Sequence, residues 1–177
     1  MRSIDKFINT LVNYGSRKAI FEGEKMHTYS ELIGCINKYN NVLNELKIKS
    51  GEIVFLLGDY SLESISLFFS LANNNNIIVP ITSENKEELK ERTEIVNPDW
   101  IIDLENSNYT FCQKDSTPVR HEILSELIQF NKSGLILFSS GSTGKPKAMV
   151  HNLENLLANY EAKKTKDMNF LVFLMFD

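Results

Sequence analysis

Ile53-Val54-Phe55-Leu56-Leu57, Ile77-Ile78-Val79-Pro80-Ile81 and Leu135-Ile136-Leu137-Phe138 are unbroken apolar runs, too short for ordinary helices. A strand that is apolar at every position is covered on both faces, the condition of a parallel sheet between layers of helices. The intervening segments carry helical spacing. Leu32, Ile33, Ile36, Tyr39, Leu43 and Leu46 follow a capping-box pattern, Thr28-Tyr29-Ser30-Glu31. Leu62, Ile65, Phe68, Phe69 and Ala72 follow Ser61, and a charged helix from Glu84 to Val96 is opened by Ser83 and closed by Asn97-Pro98. Strands alternating with helices of this length form right-handed crossovers, so the expected class is α/β, a mostly parallel sheet flanked by helices on both faces.

The remaining segments fit that frame. Ile4, Phe7, Ile8, Leu11 and Val12 mark a first helix with Ser3 as its cap and Gly15 as its stop. Lys18 to Glu22 and Lys25 to Thr28 flank Gly23-Glu24 as a hairpin. The four asparagines Asn73 to Asn76 read as a turn rather than a ligand site, because asparagine tolerates left-handed backbone. Trp100 to Asp103 is a strand, Thr110 to Cys112 a weaker one, His121 to Phe130 a helix, Ala148 to Val150 a short strand, and Asn152 caps a helix through Tyr160. Lys163 to Asp167 reads as a solvated turn. Phe170 to Asp177 is apolar and strand-like with nothing after it to cover it, so the sequence is expected to be a fragment that self-associates through that strand.

Composition narrows the partners. A formal net charge of −4 over 177 residues argues against a nucleic-acid binder working through a basic face. Cys35 and Cys112 lack metal or redox spacing and read as reduced, buried thiols. The N-terminus has no apolar core of a secretory signal, and no run approaches membrane-spanning length, so a cytoplasmic protein is expected.

Chemistry concentrates after the third apolar run, in Ser139-Ser140-Gly141-Ser142-Thr143-Gly144-Lys145-Pro146-Lys147. The two glycines let backbone N–H groups turn toward an anion, the hydroxyls of Ser139, Ser140, Ser142 and Thr143 can donate, and the lysines supply charge. The Walker A spacing fails, since Ser139 stands where its first glycine belongs and Pro146 follows Gly144-Lys145. A dinucleotide fingerprint fails for want of a third glycine and of a helix directly behind.

Phe138 to His151 resembles the phosphate loop of the adenylate-forming enzymes, a superfamily that includes acyl-CoA synthetases, peptide-synthetase adenylation domains and luciferases. Against the family pattern Thr-Ser-Gly-Thr-Thr-Gly-any-Pro-Lys-Gly, this chain has Ser139 and Ser142 for two threonines and Ala148 for the last glycine. Thr28-Tyr29-Ser30-Glu31-Leu32, Gly51 to Leu57 and Val79-Pro80-Ile81 are similar to earlier family segments, in the same order, and the loop is most like that of acyl-CoA ligases. The resemblance implies that residues 1–177 are the N-terminal part of a large AMP-binding domain, without its remainder or its C-terminal lid domain. It implies a magnesium-dependent reaction of ATP with a fatty or other organic acid to give an acyl-adenylate and pyrophosphate, then transfer to the thiol of CoA or of a phosphopantetheine carrier protein. Ser139, Ser140, Gly141, Ser142, Thr143, Gly144 and Lys147 would hold the ATP phosphates. Lys145 occupies the variable position and reads as a solvated lysine, and His151 as a polar strand-end residue. No catalytic residue is expected in the fragment, its metal ligands are not readable, and alone it is expected to be inactive. Two alternatives stand beside this reading: a non-catalytic phosphate-binding or regulatory module, and an unrelated phosphotransfer enzyme.

Overall fold

Residues 1–82, 88–105, 108–112, 120–140, 146–161 and 168 are described by a computed structural model of the chain. The chain opens with helix α1 (Ser3–Val12), the hairpin β1 (Lys18–Glu22) and β2 (Lys25–Thr28), and helix α2 (Tyr29–Glu45). The crossover units follow: β3 (Ile53–Leu57), α3 (Leu62–Asn73), β4 (Ile77–Ile81), α4 (Leu89–Val96) and β5 (Trp100–Asp103). An edge strand β6 (Asn108–Phe111), α5 (Glu122–Gln129), the hairpin β7 (Gly134–Ser140) and β8 (Pro146–Asn152), and α6 (Leu153–Glu161) complete it. The Ser83 cap and first turns of the helix expected from Glu84, the Lys163 to Asp167 turn and the Phe170 to Asp177 strand lie outside the described residues.

The main sheet has the order β6-β5-β3-β4-β7-β8. Its central four strands are parallel, and both outer strands join antiparallel. Every residue of β3 and β4 is buried, as their unbroken apolar sequences require. Alternation along the strands sends Val54, Leu56, Ile78 and Ile102 against Tyr39, Leu43, Leu67 and Leu71 of α2 and α3, with Ile4 of α1 and Leu153 of α6. The opposite face, Phe55, Leu57, Val79 and Ile81, packs on Val96 of α4 and Leu124 and Leu127 of α5. Helices therefore lie on both faces. No helix among the described residues is long and apolar enough to cross a membrane.

Among the described residues, the local caps form where the sequence places them, with one exception. Thr28 caps α2, its Oγ1 accepting from Glu31 N at 3.2 Å while Thr28 N donates to the Glu31 carboxylate at 2.7 Å. Ser61 caps α3 in the same way, accepting from Ser64 N at 3.0 Å. At α1 the cap is Arg2, and Ser3 is the first helical residue. The backbone N–H of Ser3 donates instead to Glu154 of α6 at 2.8 Å, so a distant carboxylate takes the place of a local hydroxyl.

The asparagine run is a structural turn. Asn75 takes a left-handed φ of 58°, Asn74 Nδ2 donates to the Ile48 carbonyl at 3.1 Å, and Asn76 Nδ2 donates to the Lys49 carbonyl at 2.8 Å. These bonds tie the end of α3 to the segment entering β3. Cys35 is buried and Cys112 only half-buried, against the expectation of two buried thiols, and neither forms a disulfide.

Candidate functional site

Of the residues expected to hold phosphate, the described ones fall on the β7–β8 hairpin. β7 is the continuation of an apolar strand, and β8 extends well past the short strand expected at Ala148 to Val150 because its backbone pairs with β7 from Asn152 to Pro146. Pro146 is the first residue of this edge strand, where a missing N–H is tolerated.

The register opposes Ser139 to Lys147 and Ser140 to Pro146. Directly opposed residues share a face, so the Ser139 hydroxyl and the exposed Lys147 ammonium belong to one side of the hairpin, and Phe138 and Ala148 to the other. Gly141, Ser142, Thr143, Gly144 and Lys145 lie outside the described residues, as does the side chain of Ser140. Of the expected phosphate ligands, the hairpin thus brings Ser139 and Lys147 together.

The position of this tip follows from the sheet. β7 enters parallel to β4, with Gly134 opposite Ile77 and Leu135 opposite Ile78. Its carboxyl end therefore points the same way as those of β3, β4 and β5, the side on which open α/β sheets receive ligands. Gly134 is required for the close approach: a Cβ there would come within 2.7 Å of Ile77 Cδ1.

Two features of this region escaped sequence reading. The first is Arg92 of α4, only 5% exposed, whose guanidinium carbon lies 4.7 Å from the centroid of the Phe138 ring and whose Nη2 donates to Glu88 at 3.0 Å. Its signal was present: Arg92 stands three residues after Leu89 and four before Val96, a charge on the apolar stripe of its helix. The second is a cleft of about 550 Å³ between α4, α5 and the Phe138 side of the hairpin, with Val96, Leu124, Ile136 and Val150 among its walls. Ala148, where the family pattern has glycine, is exposed and lines this cleft. At its rim Arg120 donates to Asp99 at 2.6 Å and to the Gly51 carbonyl at 3.2 Å, so the rim charge is already engaged.

The histidines hold structural positions. His121 caps α5, its Nδ1 accepting from Ile123 N at 3.3 Å, and His151 is a half-buried residue of β8 opposite Leu135. Among the described residues no cluster of three or more His, Cys, Asp or Glu could hold a metal ion.

No protein-family profile matches the chain. It is 23% identical over 174 residues to a D-alanine–D-alanyl carrier protein ligase of Streptococcus pneumoniae, covering 89% of this chain and 32% of the relative. It is 24% identical over 148 residues to a 2-succinylbenzoate–CoA ligase of Listeria innocua, covering 80% of this chain and 32% of that enzyme. The chain thus spans about a third of the length of the curated relatives it matches. In fold it superposes on the inhibitor-bound N-terminal domain of FACL13 from Mycobacterium tuberculosis with a TM-score of 0.67 at 21% identity, covering 96% of this chain and 49% of that one. Over most of its length, in sequence and in fold, this chain is similar to the N-terminal part of the adenylate-forming ligases, as the residues from Ser139 to Lys147 imply.

Proposed function

We propose that residues 1–177 form the phosphate-gripping part of the large AMP-binding domain of an ATP-dependent acid–thiol ligase. In the overall reaction a carboxylate oxygen of a fatty or other organic acid attacks the α-phosphorus of ATP. The P–O bond to the β-phosphate breaks, and pyrophosphate leaves with that electron pair. The acyl group of the adenylate then passes to the thiol of CoA or of a carrier protein, and AMP is released.

The observation that carries this reading is the Ser139–Lys147 pair at the carboxyl end of β7, in a stretch whose sequence includes Gly-Ser-Thr-Gly-Lys at 141–145. A hydroxyl donor and an ammonium on one face of the hairpin suit the β- and γ-phosphates, whose charge grows as pyrophosphate departs. Ser140, Ser142 and Thr143 would add hydroxyls, and Gly141 and Gly144 backbone N–H groups. Magnesium, when bound, would neutralise phosphate charge. With no acidic cluster at hand among the described residues, its protein ligands would lie elsewhere. The reading also takes the protein to be cytoplasmic, and residues 1–177 to be inactive alone, because a phosphate grip without an adenine pocket lacks most of the transition-state stabilisation.

The test is a titration of the 177-residue chain with magnesium ATP and with pyrophosphate, beside an ATP–pyrophosphate exchange assay. Binding that Lys147→Ala weakens about tenfold or more, with no exchange by the isolated chain, is the expected outcome. Hydrolysis of ATP to ADP would assign the chain to phosphotransfer instead, and robust exchange by the isolated chain would refute its inactivity.

A further inference from the structure

Among the described residues, β7 pairs with β4 through Gly134 and Leu135 alone. Among the described residues, Ile136 to Ser140 pair with β8 alone, and β8 lies at the edge of the described sheet. A two-stranded ribbon is marginally stable by itself, so the direction of this hairpin's tip depends on what packs against its face, where Ile136, Phe138 and Val150 meet the core cluster. Another element has to set its direction.

α4 supplies the contact. Arg92 places its guanidinium over the Phe138 ring, and Phe138 pairs with Ala148, one step before the Ser139–Lys147 pair. Arg92 is almost wholly buried and its charge is paired with Glu88, so it has given up solvation that an apolar residue on the same stripe would not have had to lose. A cation held over the face of a ring attracts it electrostatically, and so constrains the ring's position in a way that apolar packing does not.

We propose that Arg92 is a positioning residue of the phosphate grip. Held by α4 and Glu88, it fixes Phe138, and through Phe138 the course of the distal hairpin and the presentation of Ser139 and Lys147. The inference rests on the phosphate reading of that hairpin and adds to it a residue far in sequence from the loop.

The experiment titrates inorganic pyrophosphate into the 177-residue chain by calorimetry and records the melting temperature of each variant. Arg92→Met fills a similar volume without charge, Arg92→Lys keeps the charge, and Phe138→Leu removes the ring while leaving the Arg92–Glu88 pair. The expected result is pyrophosphate binding weakened about tenfold in Arg92→Met and Phe138→Leu, and within about threefold of wild type in Arg92→Lys, the two Arg92 variants melting alike. Unchanged affinity in Arg92→Met overturns the role of Arg92 and leaves the phosphate reading intact. Equal weakening in Arg92→Met and Arg92→Lys that tracks loss of melting temperature overturns it too, as a merely structural effect. If Arg92→Met does not fold, Phe138→Leu decides, and wild-type affinity there overturns the proposal. A wild-type chain that binds no pyrophosphate overturns the phosphate reading itself, and this inference with it.

Discussion

The two faces of the sheet are built differently. The face under α1, α2, α3 and α6 is the more fully covered: Tyr39, Leu43, Leu67 and Leu71 are buried, the cap residues of α2 and α3 are local hydroxyls, and polar groups are engaged by Glu63, Glu154 and the asparagine turn. The face under α4 and α5 carries short helices, an open cleft, exposed Ile95 and Ile123, and a buried arginine. Both faces bury apolar side chains, but the second is covered by the shorter helices. The second carries the cleft beside the hairpin and the contact of Arg92 with Phe138.

The contrast is tested most severely by truncation. Leu71→Ala, on a fully buried residue of the more covered face, is expected to cost about 2–5 kcal/mol in urea unfolding. Ile95→Ala, 45% exposed on the open face, should cost less than about 0.5 kcal/mol. Equal losses would abolish the distinction.

Gly134→Ala shows where the open face is nevertheless tight. The added methyl would meet Ile77 Cδ1 at 2.7 Å and Leu127 Cδ1 at 3.0 Å, terminal methyls that can shift only within a packed core. A loss of about 1–2 kcal/mol is expected, and a neutral result would extend the looseness of this face down to the root of the hairpin.

Ser61→Ala removes the hydroxyl that accepts from Ser64 N, at an expected cost of about 1 kcal/mol by the same denaturation measurement. A cost near zero would mean that the more covered face relies on packing alone.

The smallest effect concerns pH. Burial pushes the Glu63 carboxyl up, but hydrogen bonds from Tyr39 and Lys38 outweigh it and hold the group below its ordinary value of 4.5. A depressed carboxylate contributes stability that is present above its unfolded value and is lost as pH falls through the lower folded one. Melting temperature should therefore decline as pH falls below about 4.5, and Glu63→Gln should flatten that decline. An identical acid limb in the variant would exclude Glu63 as a contributor.

Legibility followed the range of the interactions. The β1–β2 hairpin and the Thr28 and Ser61 caps were readable because each partner lies within a few residues. The expected cap at Ser3 failed because Glu154, remote in sequence, takes its backbone N–H. The strand expected at Ala148 to Val150 came out too short, since its length depends on pairing with β7 and only weakly on its own polar residues. The cleft had no signal in any single segment, because its walls come from α4, α5 and the hairpin.

By itself, then, the sequence determined the α/β class, the buried parallel strands, most helix starts and the phosphate-loop pattern, since periodicity, caps and glycine placement act over short stretches of chain. Only the tertiary structure decided that both edge strands run antiparallel, that Ser139 and Lys147 share a face, that Glu154 closes α1, and that Arg92 sits over Phe138. Those facts depend on which distant segments meet, and burial of a charge beside a ring becomes visible only once they have met.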